Sequence, residues 1–297
     1  MTQLALKLKL QKDETIMSFV SRLAARNGPS FVQDFCSDMG LNWQKLIYSD
    51  AIEIDRLAGL VDISSVDLIP RALVSIDRRR CKLSGQLLAA RSFLRREQKL
   101  CPGCVQRDEQ DKGEFGVFGR REWLLASFRV CPIHSCQLLT LPRVSFPRHP
   151  ADFFRRYESC RKLISRHQLI SHPHQESTWE SYLVERLAQV DGRRWIDQFD
   201  LDATMRIVQN LGVIAVYGPN AREAELGQEE LPTACRAGFV AASGTEDQVV
   251  SALSSVCENS PSKIPGFFSD FGMFARWCSR ISTDDRHRQP HNINAQD

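Results

Sequence analysis

The sequence predicts a mainly α protein in three parts, and three observations carry that expectation. Apolar residues recur at helical spacing over the first sixty residues and again beyond residue 151. Between these stretches stand two short knuckles, Cys101-Pro-Gly-Cys104 and Cys131-Pro-Ile-His134, 26 residues apart, each offering two soft ligand atoms. Positive charge gathers around the knuckles: residues 71–170 carry 21 Lys and Arg against 9 Asp and Glu, while the flanks are acidic and the whole chain is only +3. The expected partition is a helix-turn-helix-like helical part (1–75), a basic segment with a small finger-type subdomain (76–145), a C-terminal helical domain (146–282) and a disordered polar tail (283–297).

The elements follow in order. Leu4, Leu6, Leu8 and Leu10 alternate with other residues, which predicts a short leading strand. Ile16, Phe19, Val20, Leu23 and Ala24 lie at i, i+3, i+4, i+7 and i+8, the stripe of an amphipathic helix, and Asn27-Gly28 supplies its stop. Ser30 with Gln33 reads as a capping box for a second helix that buries Phe31, Val32, Phe35, Cys36 and Met39 and ends at Gly40. A short third helix lies in NWQKLI, and Asp50 with Glu53 opens a fourth through Leu57 and Leu60. Residues 91–142 read as extended pieces with one short helix near 121–127, and RVSFPRHP as a linker. Helices return at 151–167, around Trp179 to Val190, from Asp200 to a stop at Gly212, from Thr245 with Val249, Val250, Leu253 and Val256 inward, and from Phe267 to Trp277.

The 297 residues suffice for two or three domains, and 42% hydrophobic with 25% charged residues is an ordinary globular composition. No apolar run reaches the roughly 18–20 residues of a membrane helix, and the start of the chain has no apolar signal core, so a cytoplasmic protein is expected. In a reducing compartment the ten cysteines are not expected to be disulfides. Cys36, Cys257 and Cys278 fall at apolar positions of helical patterns and read as core.

Cys101, Cys104, Cys131 and His134 make a Cys3His set, which suits one tetrahedral zinc ion. Four soft ligands close the shell, whereas a catalytic zinc keeps an open vertex. Cys136 stands beside the set as a bystander or a substitute ligand. A redox reading of the CPGC pair lacks the βαβ context it needs. Phosphate-loop, GxSxG and HExxH signatures are absent, and His172 and His174 read as surface histidines, so the chain is expected not to be an enzyme.

Short helices joined by tight turns fit a helix-turn-helix, and a plain bundle would show the same turns. In the first reading Asn42, Gln44 and Lys45 of the third helix face bases or phosphates. The basic block adds Arg78, Arg79, Arg80, Arg95, Arg96, Arg120 and Arg121 as candidate DNA contacts.

Taken together, Asp13-Glu14-Thr15-Ile16-Met17-Ser18, the following Ser21-Arg22-Leu23-Ala24, then KLCPGCVQRD, Trp123 and RVCPIHSCQLL resemble the TniQ family of transposon target-selection proteins, related to TnsD. The likeness covers roughly residues 10–142. It implies a helix-turn-helix-like part, a zinc-finger subdomain with its ligands at Cys101, Cys104, Cys131 and His134, and target choice on DNA. It further implies a transposon AAA+ ATPase as partner and, in some members, an RNA-guided CRISPR complex that finds the target; a homodimer is compatible with it. One departure stands out: no further CxxC pair follows CPIH, and Cys136 and Cys160 are isolated, so one zinc is expected and an adaptor role gains weight. The competing readings are a helix-turn-helix transcription regulator with a structural finger and an enzyme with an unrecognised site.

Overall fold

The computed structural model describes residues 4, 6–29, 31–94, 97–141, 151–166, 178–222, 225–227, 230–258 and 266–281. The predicted capping residue Ser30, the arginines Arg95 and Arg96, the linker after residue 142, His172 and His174, and the tail 283–297 lie outside these. The chain is mainly helical and divides into two compact units, residues 1–189 and 190–297.

The first unit begins with α1 (Ile16–Arg26), α2 (Val32–Asp38), α3 (Trp43–Ile47), α4 (Ala51–Val61) and α5 (Ser65–Leu68). Thr15 caps α1 by accepting from the Ser18 N–H, and Gly28, at φ 93°, follows the C-cap Asn27. The predicted stripe, Ile16, Phe19, Val20, Leu23 and Ala24, is buried against Val32, Phe35, Cys36, Trp43, Leu46, Ile54 and Leu57. Three expectations are corrected. The leading segment is no strand: the Leu4 N–H donates to the Leu60 carbonyl at 3.0 Å, tying it to α4. The N-cap of α2 is Phe31, with no side-chain hydrogen bond. Asp50 does cap α4, but Glu53 turns away to accept from the Asn42 N–H (2.9 Å) and pair with Arg56 (2.7 Å).

The basic segment holds a sheet that its charge concealed. β1 (Leu73–Ser75), β2 (Arg80–Leu83) and β3 (Gln86–Ala89) pair antiparallel in that order. Cys81 and Leu83 of β2 face inward while Arg80 and Lys82 face out, the period of two that a half-buried strand requires. Ser84 and Gly85, at φ 50° and 83°, make the tight β2–β3 turn. β4 (Lys99–Leu100) pairs antiparallel with β5 (Leu139–Thr140). Between them runs α6 (Pro102–Lys112), a helix of 11 residues where extended chain was expected. A 3-10 turn at Arg121–Leu124 stands at the predicted short helix. α7 (Phe153–Arg166) and α8 (Thr178–Leu187) complete the unit.

The second unit is helical, with α9 (Leu201–Tyr217), α10 (Glu230–Ala242), α11 (Glu246–Glu258) and α12 (Phe267–Ile281). Gly212 does not stop α9, which runs on to Gly218 at φ 86°. A Cβ on Gly212 would strike the Ala234 carbonyl, and one on Gly238 the Val208 carbonyl, so these glycines let α9 and α10 touch backbone to backbone. Thr245 and Gln248 form the expected reciprocal box at α11, through bonds of 2.9 and 3.5 Å. Val249 points inward, whereas Val250 and Cys257 are exposed, which corrects their assignment to the core.

One polar cluster joins the N-terminal helices to the knuckle region. Arg22 and Glu14, both on or beside α1 and buried, pair at 2.6 Å. Glu14 also accepts from the Gln11 N–H and the Ser18 hydroxyl, each at 3.0 Å. Burial pushes the Glu14 carboxyl up, and the Arg22 charge opposes that. Arg22 Nε donates to the Phe115 carbonyl (2.8 Å), Ser18 accepts from the Gly119 N–H (2.7 Å), and the Thr15 N–H donates to the Gly119 carbonyl (3.0 Å). Ser21 donates to Asp152, just ahead of α7, and accepts from the Phe154 N–H at 2.9 Å. Removing one partner of a buried pair strands the other charge, so Arg22→Ala is expected to cost about 3–5 kcal/mol in denaturant unfolding. Arg22→Met with Glu14→Leu should cost less than the two single changes summed, and additive losses would show that the pair is not coupled.

Candidate metal centre and basic surface

The two knuckles are built by different local rules. In the first, the β4–β5 pairing delivers the chain to Cys101, whose sulfur caps α6 by accepting from the Cys104 N–H at 3.4 Å. Pro102 occupies the first helical turn, where its missing N–H costs nothing. In the second, the Ser135 N–H donates to the Cys131 carbonyl and the Cys131 N–H to the Cys136 carbonyl, both at 2.8 Å. Ser135 sits in the left-handed region at φ 47°, which closes the knuckle so tightly that Cys136 returns to the cluster.

The side chains converge as a cation requires. Cys101, Cys104, Cys131 and His134 bring their ligand atoms within 4.8 Å of one another. His134 Nδ1 lies 3.4 Å from the Cys101 sulfur, 3.4 Å from Cys104 and 3.5 Å from Cys131, and the Cys104 and Cys131 sulfurs are 3.7 Å apart. A tetrahedral zinc ion with its usual bond lengths sets such atoms about 3.5–3.8 Å apart, so the donor set fits the ion. The thiols also conflict electrostatically. Hydrogen bonds to Cys104, Cys131 and Cys136 push the Cys101 thiol up, while those from Cys101 and Cys104 pull Cys131 down to about 2. A divalent cation relieves the conflict by taking every thiol as thiolate. These four residues would hold the metal, and all four tetrahedral vertices would be supplied by the chain.

The surroundings are equally specified. Lys99 is buried under the second knuckle, where its ammonium donates to the Leu125 carbonyl at 2.7 Å and to the Phe128 carbonyl; burial pushes it down to about 7. Gly103 lies against the imidazole: a Cβ there would come within 2.7 Å of the His134 ring. Neither signal was drawn from the sequence, although a glycine inside a Cys-x-x-Cys pair is the visible trace of the second. Cys136, read as isolated, is not: its sulfur lies 3.5 Å from that of Cys101.

The candidate DNA contacts separate sharply. Asn42, Gln44 and Lys45 are exposed on or beside α3, with Trp43 and Leu46 turned inward, and the Asn42 side chain is engaged as the N-cap of α3, accepting from the Lys45 N–H. Arg78, Arg79 and Arg80 are exposed at the β1–β2 connection. That connection is an Asp77 turn: its carboxylate accepts from the N–H groups of Arg79 (2.7 Å) and Arg80 (2.8 Å) and pairs with the Arg80 guanidinium at 2.8 Å. Those bonds, that of Arg79 foremost, hold the Asp77 carboxyl below its ordinary value. Arg120 and Arg121 are corrected. Arg120 is buried, paired with Asp108 at 2.9 Å and stacked over the rings of Phe118 and Trp123. Arg121 pairs with Asp13 at 2.7 Å and donates to the Ser84 hydroxyl at 2.9 Å. Arg120 thus spends its charge in the interior, and Arg121, half-buried, spends its charge on Asp13.

The model of the TniQ family matches residues 5–138. The match takes in the N-terminal helices, the three-stranded sheet and both knuckles. No curated protein matches the chain significantly. Gly103→Ala is expected to displace the His134 ring and weaken zinc binding by about 10–100-fold in chelator competition, the effect usual for residues that orient a ligand. Unchanged affinity would show that the ring does not hold the metal.

Proposed function

We propose, on the premise that residues 5–138 are a TniQ domain, that this chain is a transposition adaptor: it links target DNA to a transposon AAA+ ATPase. The DNA is reached directly or through a targeting complex such as an RNA-guided CRISPR effector. The observation that carries the reading is the family match, which supports membership of a transposition machinery. The geometry supports the adaptor role in particular. The Cys3His set closes on itself, so a metal held there serves as a clamp for α6 and the second knuckle and has no open vertex for catalysis.

The exposed basic groups support a modest phosphate contact rather than a long reading surface. Among the candidate contacts, Arg78, Arg79 and Arg80 at the β1–β2 connection and Lys45 on α3 are offered to solvent, and Lys82 on the outer face of β2 joins them. A second reading, a helix-turn-helix transcription regulator, is favoured by the exposure of Gln44 and Lys45 on α3.

Affinity capture separates the two. The purified chain should retain the AAA+ ATPase of a transposon in which a TniQ-type chain and an ATPase are encoded together, and binding of operator DNA alone with no ATPase retained would favour the regulator. For the DNA face, Arg78→Gln with Arg79→Gln should weaken DNA binding and lower the slope of log K against log salt by about one to two, since each lost phosphate contact retains roughly one counterion. Arg120→Gln should leave that slope unchanged, and a slope that follows Arg120 instead would overturn the assignment.

A further inference from the structure

The knuckle cluster holds more soft donors than a tetrahedral ion uses. Beside the Cys3His set stands a fourth thiol, Cys136, buried at 2% exposure. Its sulfur is 3.5 Å from that of Cys101, nearly the distance (3.4 Å) at which His134 Nδ1 stands from the same sulfur. Its backbone is fixed by the tight second knuckle, where the Cys136 carbonyl accepts from the Cys131 N–H at 2.8 Å. The two donors also differ in cover: Cys136 is buried, whereas His134 is only partly so.

We propose that Cys136 is a reserve ligand, a fifth soft donor that takes the metal when the His134 imidazole lets go. The inference rests on the reading of the Cys3His set as a zinc site. In the exchange the His134 nitrogen–metal bond breaks, the Cys136 S–H loses its proton to water, and a sulfur–metal bond forms. The shell passes from three thiolates and one imidazole to four thiolates, and no electron is transferred. Zinc accepts both shells. The second is one unit more negative. The consequence is a site that resists loss of metal, because release requires two donors to leave rather than one.

The test uses the full chain loaded with zinc, and separately with cobalt(II), whose absorption reports the number of thiolates bound. The variants are His134→Ala, Cys136→Ala, Cys136→Ser and the double His134→Ala/Cys136→Ala. Wild type and Cys136→Ala are expected to hold one metal with a three-thiolate spectrum. His134→Ala should keep one metal with stronger sulfur-to-cobalt charge transfer, and the double change should lose it. If His134→Ala does not fold, release of zinc to a chelator decides: Cys136→Ala and Cys136→Ser should both release it about tenfold faster than wild type, as serine keeps the hydrogen bond but is a poor zinc ligand. The reserve role is overturned if His134→Ala loses its metal while folded, if its spectrum still shows three thiolates, or if Cys136→Ser releases zinc as slowly as wild type. A wild-type chain that holds no zinc would overturn the site itself, which is a distinct outcome.

Discussion

The buried Glu14–Arg22 ion pair is the constraint on which the first unit depends. Both charges have left water, and neither is tolerable there alone. Their remaining hydrogen-bonding capacity is met by groups from separate parts of the chain: Gln11 and Ser18 for the carboxylate, and the Phe115 carbonyl for the guanidinium. The pair therefore exists only when α1 and the segment following α6 are in register. α1 is amphipathic twice over, with an apolar stripe in the helical core and a polar edge that grips residues 115–121. Ser21 extends the same edge to the start of α7.

A second grip acts on the other end of that segment. The Cys3His set brings α6 against the knuckle at Cys131–His134 in an arrangement that could bind a metal ion, while α1 grips residues 115–121 from the other side. Arg120 sits where the two meet, with its charge on Asp108 and its plane on Phe118 and Trp123. This arrangement accounts for the charge pattern of the middle of the chain. Part of its positive excess is internal cement, as at Arg120, while Arg78, Arg79 and Arg80 at the β1–β2 connection and Lys82 on β2 are among the cations turned outward.

The same logic separates the two cysteine populations. Cys36 lies in the helical core and acts as a small apolar side chain; burial, with the charges of Glu53 and Asp152, pushes its thiol up to about 12, which keeps it protonated. The four knuckle cysteines stand close together, and their mutual hydrogen bonds push the Cys101 thiol up and pull Cys131 and Cys136 down. What separates a structural cysteine from a ligand here is the company of other sulfurs, together with the N–H groups aimed at them.

Much of this was legible in the sequence where the signal is local. Periodicity located α1 and α4, the capping side chains of Thr245, Asp50 and Asp200 marked helix starts, and the spacing of CPGC and CPIH picked out four residues that the fold brings together, because helices, caps and knuckles are set by residues a few positions apart. The sheet of residues 73–89 and helix α6 were not legible: dense charge masks the alternation of β2, and α6 has almost no apolar stripe, its start being set by a ligand cysteine and a proline. Gly212 shows the limit most clearly. A glycine late in a helix reads as a stop, yet here it admits the backbone of α10, a demand set by a helix some twenty residues further along the chain. The sequence by itself determined the helical class, the resemblance to the TniQ family and the four residues that could bind a metal ion. Only the tertiary structure decided which arginines are surface and which are interior, and that Cys136 stands beside Cys101, because both depend on burial and on contacts between residues far apart in the chain.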